Sequence, residues 1–177
     1  MCILFILCIF ATVVFPFYAV AGQTTFSIIE FSVNSGYYQF DNDSQLEDNA
    51  IFGFGIGLNF SKRWAALLQY SSICHNKKVD GVGDVTAFTY HVDAIRFFRT
   101  ESSIRPYIVA GLGNIEIEIN RRKNREFQLN GGLGLHYKIN PNWFLRGDYR
   151  LFYETDTDMK NSAAHFVLGY RFGEGEL

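Results

Sequence analysis

The feature that most limits what this chain can fold into is a strict alternation of residue type. In NGGLGLHYKINPNWFLRGDY (130–149), most large apolar residues hold every second position, and mainly glycines and charged residues stand between them. The alternation stops at Asn140-Pro141-Asn142 and then resumes. A period of two residues is that of a β-strand, and an Asn-Pro-Asn break is typical of a turn. The stretch therefore predicts two antiparallel strands joined by a tight turn.

The same pattern recurs along the whole chain and predicts eight strands. The segments are about 25–38, 49–60, 64–73, 85–98, 104–119, 126–139, 143–153 and 162–172. Their connections alternate in length, with long polar ones at 39–48, 74–84, 120–125 and 154–161, and short ones at 61–63, 99–103 and 140–142. Transmembrane barrels have short periplasmic turns, longer extracellular loops and an even strand number. We therefore predict an all-β fold, an eight-stranded antiparallel transmembrane β-barrel with up-and-down topology.

The N-terminus predicts export. Residues 1–21 hold a long apolar run that ends in Ala19-Val20-Ala21, the small-residue pattern of a signal-peptide cleavage site. No Lys or Arg precedes the run, so an uncleaved membrane anchor remains the alternative. We expect cleavage after Ala21, one barrel domain over 22–177, and integral localisation in the bacterial outer membrane. Only Cys74 would then remain, which excludes an internal disulfide.

Parity predicts which face of each strand meets lipid. From Phe52 to Phe60 the large apolar residues occupy one parity without interruption, opposite glycines and asparagine. An exported soluble barrel of the lipocalin type is the alternative, but its interior is apolar and its exterior polar, the reverse of this arrangement. The apolar side therefore faces lipid. Aromatic residues near the strand ends are expected to form the interfacial girdles of such barrels: Trp64, Tyr107, Tyr137, Trp143, Tyr153 and Phe172.

The opposite parity is expected to fill the lumen with polar and charged side chains. Ionised groups in so narrow an interior must pair, because an isolated buried charge is costly. The expected ion-pair network comprises the acids Glu30, Asp93 and Asp148 and the bases Arg146, Arg150 and Arg171, and the further lumenal polar residues are His91, His136, Lys138 and His165. Two interpretations remain open: a static plug, which we favour, and a gate in which exchange of ion-pair partners opens a thin water path.

Three stretches resemble the transmembrane domain of the OmpA/OprF family. They are RPYIVAGLGN (105–114), NGGLGLHYKINPNWFLRGDYRLFYETDTD (130–158), which contains FLRGDYR, and HFVLGYRF (165–172). The resemblance implies an eight-stranded outer-membrane barrel that stabilises the envelope, with small-solute leakage or adhesion in some members. Members typically continue into a peptidoglycan-binding domain, whereas this sequence stops at Leu177, so opacity-type surface barrels become the closer comparison. The last strand resembles the signal read by the barrel-assembly machinery, which implies that machinery as a partner.

The expected function is a structural or surface-interaction role, in envelope integrity or adhesion. Outer-membrane lipid and lipopolysaccharide are expected partners, through basic patches at 75–78 and 121–125, together with host or envelope proteins at the long loops. The alternatives are a low-conductance porin gated by the ion-pair network and, more distantly, a lipid A-modifying enzyme. The enzyme is disfavoured because no His-x-Ser occurs and no acid orients His75 beside Ser72. We predict no catalytic residue, metal or cofactor, because no metal-ligand spacing, phosphate-binding loop or nucleotide motif occurs. The net charge of only -2 argues against a nucleic-acid partner.

Overall fold

Eight antiparallel strands close into a ring. The computed structural model describes residues 28–41, 48–73, 85–119 and 122–172, so the predicted signal peptide, Cys74 and the basic patch at 75–78 lie outside the described residues. The strands are β1 (Ile28–Gln39), β2 (Asn49–Asn59), β3 (Trp64–Ile73), β4 (Val85–Phe97), β5 (Ile104–Ile119), β6 (Arg122–Lys138), β7 (Trp143–Glu154) and β8 (Lys160–Phe172). The predicted fold class is confirmed. Within the described ranges, no helix is long and apolar enough to cross a membrane.

Pairing of the first strand with the last closes the barrel. β1 runs antiparallel to β8 from Ile29 opposite Phe172 to Gln39 opposite Ser162, and every other strand pairs with its sequence neighbours. A closed ring leaves no strand edge exposed to lipid, so the backbone N–H and C=O groups within it can all pair with neighbouring strands. This pairing is what allows strands to cross a hydrocarbon layer.

Two of the short turns are fixed by side chains of their own residues. The Asn140 Oδ1 accepts hydrogen bonds from the backbone N–H of Asn142 at 2.9 Å and of Trp143 at 2.8 Å. The Ser61 Oγ likewise accepts from the backbone N–H of Arg63 at 3.2 Å and of Trp64 at 3.1 Å. These local bonds stabilise tight turns of the Asx and Ser type. Because short turns of such barrels face the periplasm, we call this end the periplasmic end and the opposite end the outer end.

The predicted strand limits agree with the structure except at the outer connection between β5 and β6. The sequence predicts a loop over 120–125, whereas β6 begins at Arg122 and remains paired with β5 as far as Ile119 opposite Arg122. Opposite charges face each other in this extension, with Glu116 opposite Arg125 and Glu118 opposite Lys123. Such cross-strand pairs stabilise a hairpin. The polar stretch is therefore strand, and β6 extends past the outer end of β7, whose pairing with β6 ends at Glu154 opposite Gln128.

Alternating burial confirms the two faces. Outward side chains remain accessible, for example Leu133 at 67%, Leu151 at 60% and Phe166 at 57% exposed. Inward ones are buried, and many of them are polar. Two apolar clusters complete the interior, one towards the outer end (Tyr38, Ile51, Ile73, Ala87, Ile115, Phe152 and Ala163) and one towards the periplasmic end (Ala65, Leu67, Ile95, Phe97, Tyr107 and Val109).

Tyr107 was wrongly predicted as a girdle residue. It is 2% exposed and faces the lumen, where its hydroxyl donates a 2.6 Å hydrogen bond to Asp148 Oδ2. The parity that carries Tyr107 also carries Arg105 and Val109, and all three are buried, whereas Ile108 on the other parity is 50% exposed. A buried tyrosine hydroxyl needs a partner. The carboxylate of Asp148 supplies one, and lipid could not.

Candidate functional site: the polar lumen and the outer rim

Three residues form the central ion cluster of the lumen: Asp93 on β4, and Asp148 and Arg150 on β7. The Arg150 Nη1 lies 2.6 Å from Asp93 Oδ2, and its Nε lies 2.7 Å from Asp148 Oδ1. The three side chains are at most 2% exposed. One guanidinium thus bridges two carboxylates, so each of the two has a cationic partner. Charge-assisted bonds of this length are strong when both partners are buried.

The remaining carboxylate oxygens of the cluster also have donors. Asn130 Nδ2 donates to Asp93 Oδ1 at 2.8 Å, and Tyr107 donates to Asp148 Oδ2. His165 Nδ1 donates to Asp148 Oδ1 at 3.2 Å. Gly111 makes room for the cluster, because a Cβ atom at this position would lie 2.0 Å from Asp93 Oδ1. All four carboxylate oxygens of the cluster thus have at least one donor, as buried charged groups require.

A second ion pair closes the seam between β8 and β1. Arg171 and Glu30 are register partners across that seam, and Arg171 donates from Nη2 at 2.6 Å and from Nε at 3.1 Å to Glu30 Oε1. Their side chains are 10% and 4% exposed. Five of the six residues expected to pair therefore do so, in two separate groups. The sixth, Arg146, forms no ion pair with any described residue.

A third group, outside the expected ion-pair network, lies at the outer end of the lumen. Glu126 and Glu154 are 8% and 2% exposed, and the Thr157 hydroxyl lies 2.9 Å from Glu126 Oε2 and 3.0 Å from Glu154 Oε2. Gln128 Nε2 donates to Glu154 Oε1 at 3.0 Å and to the Tyr38 hydroxyl at 3.2 Å. Glu154 was placed in a loop by the sequence analysis. Its parity with Phe152 and Arg150 is the signal that would have placed it in the lumen.

The expected lumenal polar residues occupy different environments. His91 is 3% exposed and its Nε2 lies 3.2 Å from Gln128 Oε1, while His165 donates to Asp148 of the central ion cluster. His136 is fully buried near the periplasmic end, and Lys138 is partly buried. The inward position of His91 separates it from Ser72, which lies on the opposite parity. Among the residues that the structure describes, no group of three or more His, Cys, Asp or Glu is placed to hold a metal ion.

The remaining expected girdle residues lie on the outer face, between 38% and 52% exposed: Trp64, Tyr137, Trp143, Tyr153 and Phe172. At the periplasmic end the Arg96 guanidinium lies over the Trp64 ring at 5.3 Å and over Phe98 at 5.7 Å. Aromatic rings and long cationic side chains are both favoured at the level of lipid headgroups. Their positions suit an interfacial belt, and that role remains a prediction.

Among the described residues, the β5–β6 hairpin contributes charged side chains to the outer rim. Lys123 lies 2.7 Å from Glu116 and 4.0 Å from Glu118, and the Arg125 guanidinium lies over Tyr90 at 5.2 Å. The hydrogen bond to Glu116 raises the pKa of the Lys123 amine, which therefore stays charged. A strand needs about 9–11 residues to cross the membrane. Counted from Lys138, that length ends near Gln128, so Lys123 and Arg125 project beyond the lipid.

Comparison with known proteins agrees with this architecture. The N-terminal β-barrel domain of Pseudomonas aeruginosa OprF is 22% identical, with 81% of this chain and 97% of that one covered at a TM-score of 0.62. Neisserial surface protein A is 16% identical, with coverages of 85% and 100% at 0.64. Ail, the attachment invasion locus protein of Yersinia pestis, in complex with the heparin analogue sucrose octasulfate, is 20% identical, with coverages of 81% and 99% at 0.58.

No curated protein sequence matches the chain. The profile of the outer membrane protein beta-barrel domain, in contrast, matches residues 6–172, which span all eight strands. The resemblance to OmpA-like barrels is thereby confirmed, and with it an integral location in the outer membrane. The chain belongs to the outer membrane protein beta-barrel domain family.

Proposed function

We propose that this protein is a closed outer-membrane barrel with a structural or surface-interaction role, in envelope integrity or adhesion. One observation carries the proposal: Arg150 bridges Asp93 and Asp148 across the lumen, with all three side chains at most 2% exposed. A lumen filled in this way is a plug. Contacts with other molecules are then left to the surfaces of the barrel, and above all to its outer rim.

The outer rim offers a basic surface on the β5–β6 hairpin. The sequence RRKNR (121–125) holds four cationic residues, and the structure describes the side chains of two of them, Lys123 and Arg125. Glu116 and Glu118 compensate Lys123 from the facing strand, while Arg125 hydrogen-bonds only to Asn114, at 3.3 Å, and contacts no carboxylate among the described residues. The tip therefore favours polyanions, including the phosphates of lipopolysaccharide and sulfated polysaccharides.

The similarity to Ail supports this choice of ligand class. That barrel has been solved with sucrose octasulfate, a heparin analogue, and it shares the fold with the present chain. A sulfated ligand is thus compatible with a barrel of this fold. The basic hairpin is the feature of the present chain that would provide the contacts.

Neutralising the hairpin tests the surface role. In refolded protein, Lys123→Gln combined with Arg125→Gln is expected to weaken heparin binding about tenfold, since each basic residue near an anionic surface contributes to attraction that salt screens. The matched control is Lys62→Gln with Arg63→Gln, which removes two charges from a periplasmic turn. Binding that is unchanged by the hairpin substitutions, or lowered equally by both pairs, would refute the assignment.

A low-conductance pore is the second candidate, and one observation favours it. Arg105 and Arg146 are only 8% and 4% exposed and have no carboxylate partner among the described residues. Glu30, which pairs with Arg171, could therefore exchange that partner for another arginine. Exchange of ion-pair partners is the step that a gate requires. We assign no catalytic role, because His91 is inside the barrel and bonded to Gln128.

A further inference from the structure

Charge is unevenly distributed along the lumen. Among the described residues, three buried arginines lie near the periplasmic ends of their strands, Arg105, Arg146 and Arg171, but only one buried carboxylate, Glu30. The other four buried carboxylates, Asp93, Asp148, Glu126 and Glu154, lie further towards the outer end and are bound there by the groups described above. Glu30 pairs with Arg171. Two buried guanidinium groups are therefore left without a carboxylate among the described residues.

These two arginines flank a histidine in one row across three strands, which we call the arginine row. Arg105 on β5 is the register partner of His136 on β6, and His136 is the partner of Arg146 on β7. The Arg105 Nη2 lies 3.5 Å from His136 Nε2. Because arginine only donates, Nε2 must accept in that contact, and the proton of the neutral ring is then on Nδ1.

The arginine row ends in donors that nothing accepts. Arg105 Nε, Arg146 Nε and His136 Nδ1 are all buried and have no hydrogen-bond partner among the described residues. All three are N–H donors in the arrangement above. A buried donor without an acceptor is unfavourable, and a buried cation without an anion more so. What this part of the lumen requires is an acceptor that carries negative charge.

Aromatic rings contact the flat faces of the side chains in the arginine row. The Arg105 guanidinium lies 4.9 Å from the Phe97 ring, and that of Arg146 lies 5.3 Å from Phe144. The His136 ring stacks on Phe144 at 4.9 Å. Cation–π contact occupies the faces of a guanidinium but not its in-plane N–H groups. Those groups form the fork that binds an oxyanion through two parallel hydrogen bonds.

We propose that Arg105 and Arg146, with the neighbouring His136, bind a small oxyanion of the phosphate or sulfate class inside the periplasmic half of the lumen. The ion enters from the periplasmic mouth, where Arg105 and Arg171 each retain 8% exposure. It goes no further, because the central ion cluster closes the lumen beyond it. The site lies at the opposite end from the basic hairpin, so it stands independently of the surface role.

The experiment is a titration of the refolded full chain in detergent with inorganic phosphate. Calorimetry measures binding, and the unfolding temperature is recorded at each phosphate concentration. We expect saturable binding of one phosphate per chain and an unfolding temperature that rises with phosphate concentration, since a ligand of the folded state stabilises it. Potassium chloride at the same ionic strength is the control and should produce neither effect. Absence of saturable phosphate binding to the wild type, or an equal response to chloride, would overturn the proposal.

Two variants locate the site. Arg146→Met and Arg105→Met are each expected to weaken phosphate binding at least tenfold and to abolish the dependence of the unfolding temperature on phosphate. A purely structural role would lower that temperature without removing its response to phosphate, and such a result in both variants would contradict the proposal. Lys62→Met, in an exposed periplasmic turn, should bind as the wild type does. Glycerol phosphate, titrated in parallel, distinguishes phosphomonoesters from the free ion as the natural occupant.

Discussion

Replacing Arg150 with methionine is expected to lower the free energy of unfolding by about 3–5 kcal/mol, the cost of breaking a buried ion pair by removing one partner. The substitution keeps most of the side-chain volume but leaves Asp93 and Asp148 without the guanidinium that bridges them at 2.6 and 2.7 Å. Urea unfolding of the refolded barrel, followed by the fluorescence of Trp64 and Trp143, measures the change as a shift in midpoint at constant slope.

An exposed ion pair provides the control for this experiment. Lys123→Met removes the pair with Glu116, whose partners are 62% and 28% exposed, and should leave the midpoint almost unchanged. Because both substitutions replace a cation with methionine, the difference between their midpoints reports the effect of burial on the stability that each ion pair contributes. Similar midpoints for the two variants would mean that the central ion cluster is open to water and does not close the lumen.

Arginine in place of Leu133 is expected to cost about 2–4 kcal/mol, the penalty for a cation on the lipid face at the middle of the membrane. Leu133 is 67% exposed on the outward parity of β6, well away from both ends of that strand. Its accessible surface therefore faces hydrocarbon. Urea unfolding in phospholipid vesicles, where the hydrocarbon layer is present, is the appropriate measurement.

The same substitution near the interface is the matched control. Ile139 follows β6 at the periplasmic turn and is 48% exposed, so Ile139→Arg can reach the headgroups and should cost about 0–1 kcal/mol. A depth-dependent difference between the two sites would locate the membrane along β6. Equal costs at Leu133 and Ile139 would show that this face does not contact hydrocarbon as described.

The fold was predictable because each strand meets two different environments. A residue in such a strand faces either lipid or the lumen, so apolar and polar residues alternate along the whole strand. The predicted limits of β3 and β5 agree with the structure. The start of β6 was not predictable from its own residues. Arg122–Lys138 begins with a polar run, and its strand structure depends on the charges of the facing strand, Glu116 and Glu118.

The sequence predicts most of the charged residues that face the lumen, but not which of them form ion pairs. Parity places Asp93, Asp148 and Arg150 on the inner face, but which charges meet depends on the height at which tilted strands bring them together. Arg146 stands two residues from Asp148 on the same face and still has no carboxylate partner among the described residues. Arg105 and Tyr107 were missed although their parity with Val109 was available as a signal.

The measurement that tests the central claim most directly is the conductance of the purified wild-type protein in a planar lipid bilayer. A lumen closed by Asp93, Asp148 and Arg150 predicts insertion without discrete current steps above the leak of the bare bilayer. Stable openings in the wild type that change in size or frequency with Glu30→Gln would contradict the closed barrel and establish the gated pore in its place.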